Sequence, residues 1–224
     1  MRTRRNFLRK GISSLLAVGF LVDPLLSAVG TAWAKTRRIV VRPGTNRKDL
    51  INKNPESLDA SRLEVTPLKD FGTMGLEDYE TDLKRWRLIV DGHVTKSVRL
   101  TYSKLIELPS IERKVLMICP GIFANNGVWK GVSVKELFKE APIKPGANYV
   151  TFRGPEGNYE KAFRVPIKDV FSDRVFLAYQ VNGDSLPQKH GLPLRLVAEG
   201  YYGTDWVKYV YRVTVDKLKV AAGD

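Results

Sequence analysis

At 224 residues, with 43% hydrophobic, 27% charged and 10% aromatic side chains, the chain has a globular composition, sufficient for one or two domains. One cysteine and two histidines exclude a disulfide framework and a zinc centre built from Cys and His clusters. The formal charge of +13 is spread, with no more than two basic residues adjacent anywhere, so it does not form a nucleic-acid-binding tail.

The first element is an export signal over residues 1–34. A basic start, Met1-Arg2-Thr3-Arg4-Arg5, leads into the uncharged run Gly11 to Val22 and closes on Ala32-Trp33-Ala34, the pattern of a cleavable signal. The run is 12 residues long, short of the roughly 20 that a spanning helix needs. Thr3-Arg4-Arg5-Asn6-Phe7-Leu8-Arg9 resembles a twin-arginine signal, which addresses folded proteins to the periplasm. The twin-arginine machinery is thus an expected partner, and a cofactor loaded before export an expected cargo. Residues 35–68 form a polar, turn-rich leader, with Arg42-Pro43-Gly44 and Asn54-Pro55, expected to wrap the domain at 69–224.

Trp86 to Val90 and Val94 to Leu100 flank Asp91-Gly92, a two-residue hairpin signal. A short helix near Thr101 to Leu108 and a nearly all-apolar strand, Val115 to Cys119, follow, so Cys119 ends a buried strand where it opens into a loop. Ser133-Val134-Lys135-Glu136 is a capping box that starts a helix running to about Glu140. Asn148 to Val165 reads as two strands around Pro155-Glu156-Gly157, Val175 to Val181 as a strand stopped by Asn182-Gly183, and Leu192 to Ala198 as another. From Val207 to Val215 apolar and polar residues alternate with the period of a half-buried strand. The expected fold is α+β, with mixed, mainly antiparallel sheets and short helices.

No Gly-rich phosphate loop, G-x-S-x-G elbow or H-E-x-x-H occurs, so common nucleotide and hydrolase chemistries lack their anchors. A basic nucleic-acid module would interleave aromatics with cations along a surface, and only Lys84-Arg85-Trp86-Arg87 does so; no nucleic-acid partner is expected. A lone cysteine at a strand end is more often a small buried hydrophobe than a reactive group. What gives Cys119 weight is its company: Cys119-Pro120-Gly121 with Trp129-Lys130-Gly131-Val132, then Leu177-Ala178-Tyr179-Gln180-Val181-Asn182-Gly183, His190-Gly191-Leu192-Pro193-Leu194-Arg195 and Tyr202-Gly203-Thr204-Asp205-Trp206-Val207-Lys208.

In order and spacing these pieces resemble the sulfite oxidase family of molybdopterin oxidoreductases, over roughly Trp86 to Val215. The resemblance implies a molybdopterin cofactor with Cys119 as the metal ligand, since molybdenum held by two dithiolene sulfurs accepts one more soft thiolate. It implies cofactor contacts from His190, Arg195, Gly203, Trp206, Val207 and Lys208, with the cations serving the cofactor's phosphate. Tyr179 is implied to stand beside the metal, its phenol donating a hydrogen bond. Ile122-Phe123-Ala124 replaces the arginine that sulfite-oxidising members carry after the cysteine, and Phe71-Gly72-Thr73-Met74-Gly75 replaces an Arg-Asn-His contact to the pterin. With Cys119 engaged, no ligand set remains in this chain for a haem or iron-sulfur cluster, so electrons are expected to pass to or from a separate protein, a c-type cytochrome or a membrane haem subunit. The expectation is a periplasmic monomer that moves an oxygen atom to or from a small sulfite- or sulfoxide-like substrate. The alternative is an exported binding module that has lost its metal.

Overall fold

The computed structural model describes residues 38–157 and 161–218, so the export signal at 1–34 lies outside the described residues. Two five-stranded sheets carry the molecule. One has the order β4-β3-β12-β7-β8, built from β3 (Arg87–Gly92), β4 (Val98–Thr101), β7 (Tyr149–Arg153), β8 (Ala162–Pro166) and β12 (Arg212–Asp216). The other runs β10-β9-β6-β5 with β11 also on β9, and comprises β5 (Ser110–Cys119), β6 (Phe123–Ser133), β9 (Val175–Val181), β10 (Asp184–Ser185) and β11 (Arg195–Ala198). Within these two sheets every pair is antiparallel except β3 with β12. Among the described residues three short helices, α1 (Tyr102–Ile106), α2 (Val134–Glu140) and α3 (Ile167–Phe171), complete the α+β fold.

Both sheets contribute to one hydrophobic core. Leu88, Val90, Phe152 and Val213 come from the first, and Val132, Leu177, Val181 and Leu196 from the second, all fully buried. β5 explains why its apolar run is unbroken. Val115 and Met117 enter this main core, while the alternate residues Leu116 and Ile118 enter a second cluster with Val41, Leu50, Leu58 and Leu63 of the leader. These contacts pack the leader on the side of β5 that faces away from the main core. The leader carries a parallel pair, β1 (Ile39–Val40) and β2 (Leu58–Asp59), and its buried leucines contribute about 1.5–3 kcal/mol each to holding it on the back of β5.

Four local expectations change. Asp91-Gly92 is not a two-residue turn: Val90 pairs with Val98, and both residues continue alongside β12. The Asp91 carboxylate takes Arg212 and Thr214, and a Cβ on Gly92 would lie 2.3 Å from the Val215 carbonyl, so strand pairing outweighs the local turn preference. Ser133 caps α2 as expected, accepting from the Lys135 amide, but Glu136 pairs with Lys139 at 2.7 Å instead of closing the capping box. β6, eleven residues long, has no counterpart among the expected strands. The alternation from Val207 also breaks at Tyr209, whose φ of 54° is left-handed, so the strand starts only at Arg212.

Candidate functional site

β5 delivers Cys119 to one wall of a cavity of about 270 Å³, lined by Gly72 to Leu76, Phe123, Pro155, Lys161, Arg195, Gly203, Thr204, Trp206, Lys208 and Tyr209 as well. The tight turn after Cys119 is fixed from behind. The Gly121 amide donates to the Ile51 carbonyl of the leader at 3.1 Å, and the Ile122 amide to the Cys119 carbonyl at 3.0 Å. Burial pushes the Cys119 thiol up, partly offset by the charges of Lys161, Arg195 and Lys208.

Arg195, the first residue of β11, is buried under a wall of aromatics. Its guanidinium carbon sits 5.9 Å from the Trp129 ring centroid, and Trp129 in turn meets Trp206 edge-on at 5.6 Å. Nη1 donates to the His190 carbonyl at 2.9 Å and Nη2 reaches the Met117 sulfur at 3.1 Å, while Nε is buried without a partner. Desolvation lowers the group to about 10, still a cation at neutral pH. Lys208 reaches the cavity because Tyr209 turns the chain there. Its Nζ donates to Thr73 Oγ1 at 2.8 Å and to the Leu76 carbonyl at 2.9 Å, and burial, followed by the Arg195 charge, lowers it to about 8.

The wall at 72–76 is held at both ends. The buried Asn125 carboxamide brackets Gly72, accepting from its amide at 3.1 Å and donating to its carbonyl at 2.9 Å. Gly72 is required, since a Cβ there would lie 2.4 Å from the Phe123 ring. Lys208 secures the far end. Between them Met74 lays its sulfur on Cys119: Sγ to Sδ is 2.7 Å.

Of the residues expected from sequence, Cys119, Arg195, Gly203, Trp206 and Lys208 line this cavity. His190 and Val207 stand one layer behind it. The Val207 carbonyl accepts from Leu196, and the His190 ring lies edge-on to Phe71 with Nε2 buried and unpartnered. Tyr179, expected beside the metal, packs in the main core near Tyr102 of α1 and is not among the residues that line the cavity. Trp129-Lys130-Gly131 supports the site from below: Trp129 is fully buried, and a Cβ on Gly131 would lie 2.0 Å from the Leu177 carbonyl where β6 meets β9. Thr73, Met74, Phe123, Lys161 and Tyr209 are lining residues that the motifs did not single out.

These residues suit a molybdopterin. A single soft sulfur, the buried guanidinium of Arg195 with its unpartnered Nε and the half-buried ammonium of Lys208 meet on one cavity, with the unpartnered Nε2 of His190 in the layer behind, and each unsatisfied nitrogen would cost about 1–3 kcal/mol without a ligand partner. The comparisons agree. Residues 76–221 match the family model of the oxidoreductase molybdopterin binding domain, so the chain belongs to the sulfite oxidase-type molybdopterin oxidoreductases and takes a molybdopterin cofactor. It is 31% identical over 125 residues to the "Uncharacterized oxidoreductase YuiH" of Bacillus subtilis, covering 55% of this chain and 62% of that protein. It is 28% identical over 145 residues to the protein-methionine-sulfoxide reductase catalytic subunit MsrP of Gluconobacter oxydans, covering 57% and 46%. Similarity to the NADH nitrate reductase of Volvox carteri is 31% over 169 residues, 59% of this chain but 19% of that one. The chain thus spans less than two thirds of the length of these relatives. The sulfane dehydrogenase SoxCD of Paracoccus pantotrophus shares the fold, with TM-score 0.59 and 21% identity over 82% of this chain and 51% of the other.

Proposed function

We propose that this chain is an exported molybdopterin oxidoreductase that moves an oxygen atom to or from a small sulfite- or sulfoxide-like substrate and exchanges electrons with a separate redox protein. The observation that carries the reading is the convergence of Cys119, Arg195 and Lys208 on one cavity. When bound, the cofactor would supply the redox-active metal that oxygen-atom transfer requires.

The chain's own residues do the rest. Cys119 offers a thiolate from a turn held by the leader, and its own sulfur needs deprotonation, which burial opposes and three neighbouring cations favour. Arg195 and Lys208 present fixed positive charge to an anionic group, with the aromatic wall of Trp129 and Trp206 keeping water from it. His190, lowered to about 4 chiefly by burial, is neutral at pH 7 and adds a polar atom without adding charge. A relative named as a methionine-sulfoxide reductase and a structural neighbour named as a sulfane dehydrogenase both support a sulfur-centred substrate. The pattern of residues 1–34 supports export to the periplasm, and one cysteine and two histidines support an external electron partner.

Protein purified from the periplasmic fraction should contain molybdenum at about one atom per chain, as a single-thiolate site dictates. It should also oxidise a reduced viologen when given a sulfoxide. Metal-free protein from that fraction would favour the binding-module reading instead.

A further inference from the structure

We propose that Met117 is a positioning residue for cofactor binding: its thioether fixes the direction of the Arg195 guanidinium without cancelling the charge that an anionic group of the cofactor would meet. The inference rests on the oxidoreductase reading above and deepens it by naming the group that aims the buried cation.

Met117 and Cys119 are alternate residues of β5, so both side chains leave the strand on the same face. Cys119 stands on the cavity lining, and Met117, fully buried, packs in the main core. Its Sδ accepts from Nη2 of Arg195, the first residue of β11, at 3.1 Å. The short 3-10 turn Gly203–Asp205 lies against the same side chain, where a Cβ on Gly203 would come within 2.8 Å of Met117 Cγ. Cys119, Arg195 and Gly203 all line the cavity, so through Met117 strand β5 sets both the cation and the turn at fixed places relative to the cysteine.

A buried guanidinium needs partners. A carboxylate would be the strongest, but it would also neutralise the charge. Among the described residues no carboxylate stands in ion-pair contact with Arg195. Its partners are neutral: the His190 carbonyl on Nη1 at 2.9 Å, the Met117 sulfur on Nη2, and the Trp129 ring with its centroid 5.9 Å from the guanidinium carbon. A thioether is an uncharged, weak acceptor, so it holds one N–H in direction and leaves the positive charge, together with the buried and unpartnered Nε, for a ligand. Fixing the guanidinium in advance spares the ordering cost that binding would otherwise carry.

Variants of the molybdenum-loaded enzyme separate aiming from packing. Met117→Leu keeps the volume and removes the acceptor, whereas Met117→Gln keeps an uncharged acceptor at similar reach and packs less well. Molybdenum loss from each isolated enzyme is followed by elemental analysis over time, and thermal melts of the metal-free proteins measure packing. Met117→Leu should melt within a few degrees of the parent yet release molybdenum about tenfold faster, while Met117→Gln should melt lower and release it within about threefold of the parent rate. Met117→Glu, which aims the guanidinium but neutralises it, should release molybdenum about tenfold faster than Met117→Gln. The reverse order, with Leu retaining the metal and Gln losing it, makes Met117 a packing residue and overturns the proposal, and equal retention by Gln and Glu overturns its requirement for a neutral partner. Should Met117→Gln not accumulate as folded protein, Met117→Leu decides alone, since packing predicts release at the parent rate. Absence of molybdenum from the parent protein overturns the oxidoreductase reading and this inference with it.

Discussion

Cys119 combines two roles that usually conflict. Its backbone ends a strand buried on both faces, and its sulfur must ionise to bind a metal. Exchanging it for serine keeps the volume and removes the soft donor, so Cys119→Ser should lose molybdenum and activity while the metal-free forms melt within a few degrees of each other. His190 makes a pH prediction of definite sign. Its folded value of about 4 lies below the ordinary 6.5, so between these the unfolded chain binds more protons. Its contribution to stability is complete above pH 6.5 and is lost as pH falls toward 4, by up to about 3 kcal/mol. Thermal melts across that window should slope less in His190→Gln than in the parent, and parallel slopes would refute the burial of a neutral ring. Tyr179 gives the opposite kind of test: packed in the main core and absent from the cavity lining, it should be replaceable by Phe with neither molybdenum content nor kcat changed. A large loss of kcat at full occupancy would restore it to the site.

At the scale of elements, the site is a strand end, a clamped loop and an irregular segment brought together, and only the first was plain in the sequence. Val175 to Val181 and the apolar run into Cys119 were legible because burial writes itself as uninterrupted hydrophobicity. β6 was not, because Ala124-Asn125-Asn126-Gly127 has the composition of a turn. Those asparagines are buried and spend their amides on other backbone: Asn125 on Gly72, and Asn126 on the Leu63 and Glu64 carbonyls. The wall at 72–76 was invisible for the same reason, since its anchors are far away in sequence. Of the seven cofactor contacts implied by resemblance, the cavity includes five and leaves two one layer behind it, His190 in the short 3-10 turn Gln188–His190 and Val207 in the irregular segment before β12. Asn125→Ala should therefore loosen the wall, lowering molybdenum occupancy and speeding alkylation of Cys119 in metal-free protein, at a stability cost of about 1–3 kcal/mol. An alkylation rate equal to the parent's would show that the loop does not depend on this clamp.

Taken whole, the molecule is a two-sheet domain whose metal-ligand strand is backed by a leader that lies outside the matched family segment. Gly121 bonded to Ile51, and Leu116 and Ile118 packed on Leu50, Leu58 and Leu63, make the leader part of the site's support. The export proposal belongs to this scale as well. Replacing Arg4 and Arg5 by lysine conserves charge but removes the guanidinium pair, so precursor should accumulate in the cytoplasm if the twin-arginine route is used, and undiminished periplasmic protein would refute that route. The central claim is that Cys119 supplies the protein's sulfur to a molybdenum held in the cavity with Arg195 and Lys208. X-ray absorption at the molybdenum edge tests it most directly, on the purified parent and on whatever metal-loaded Cys119→Ser can be recovered. The account predicts one sulfur fewer around molybdenum in the serine variant, and an identical sulfur shell in the two proteins would contradict it.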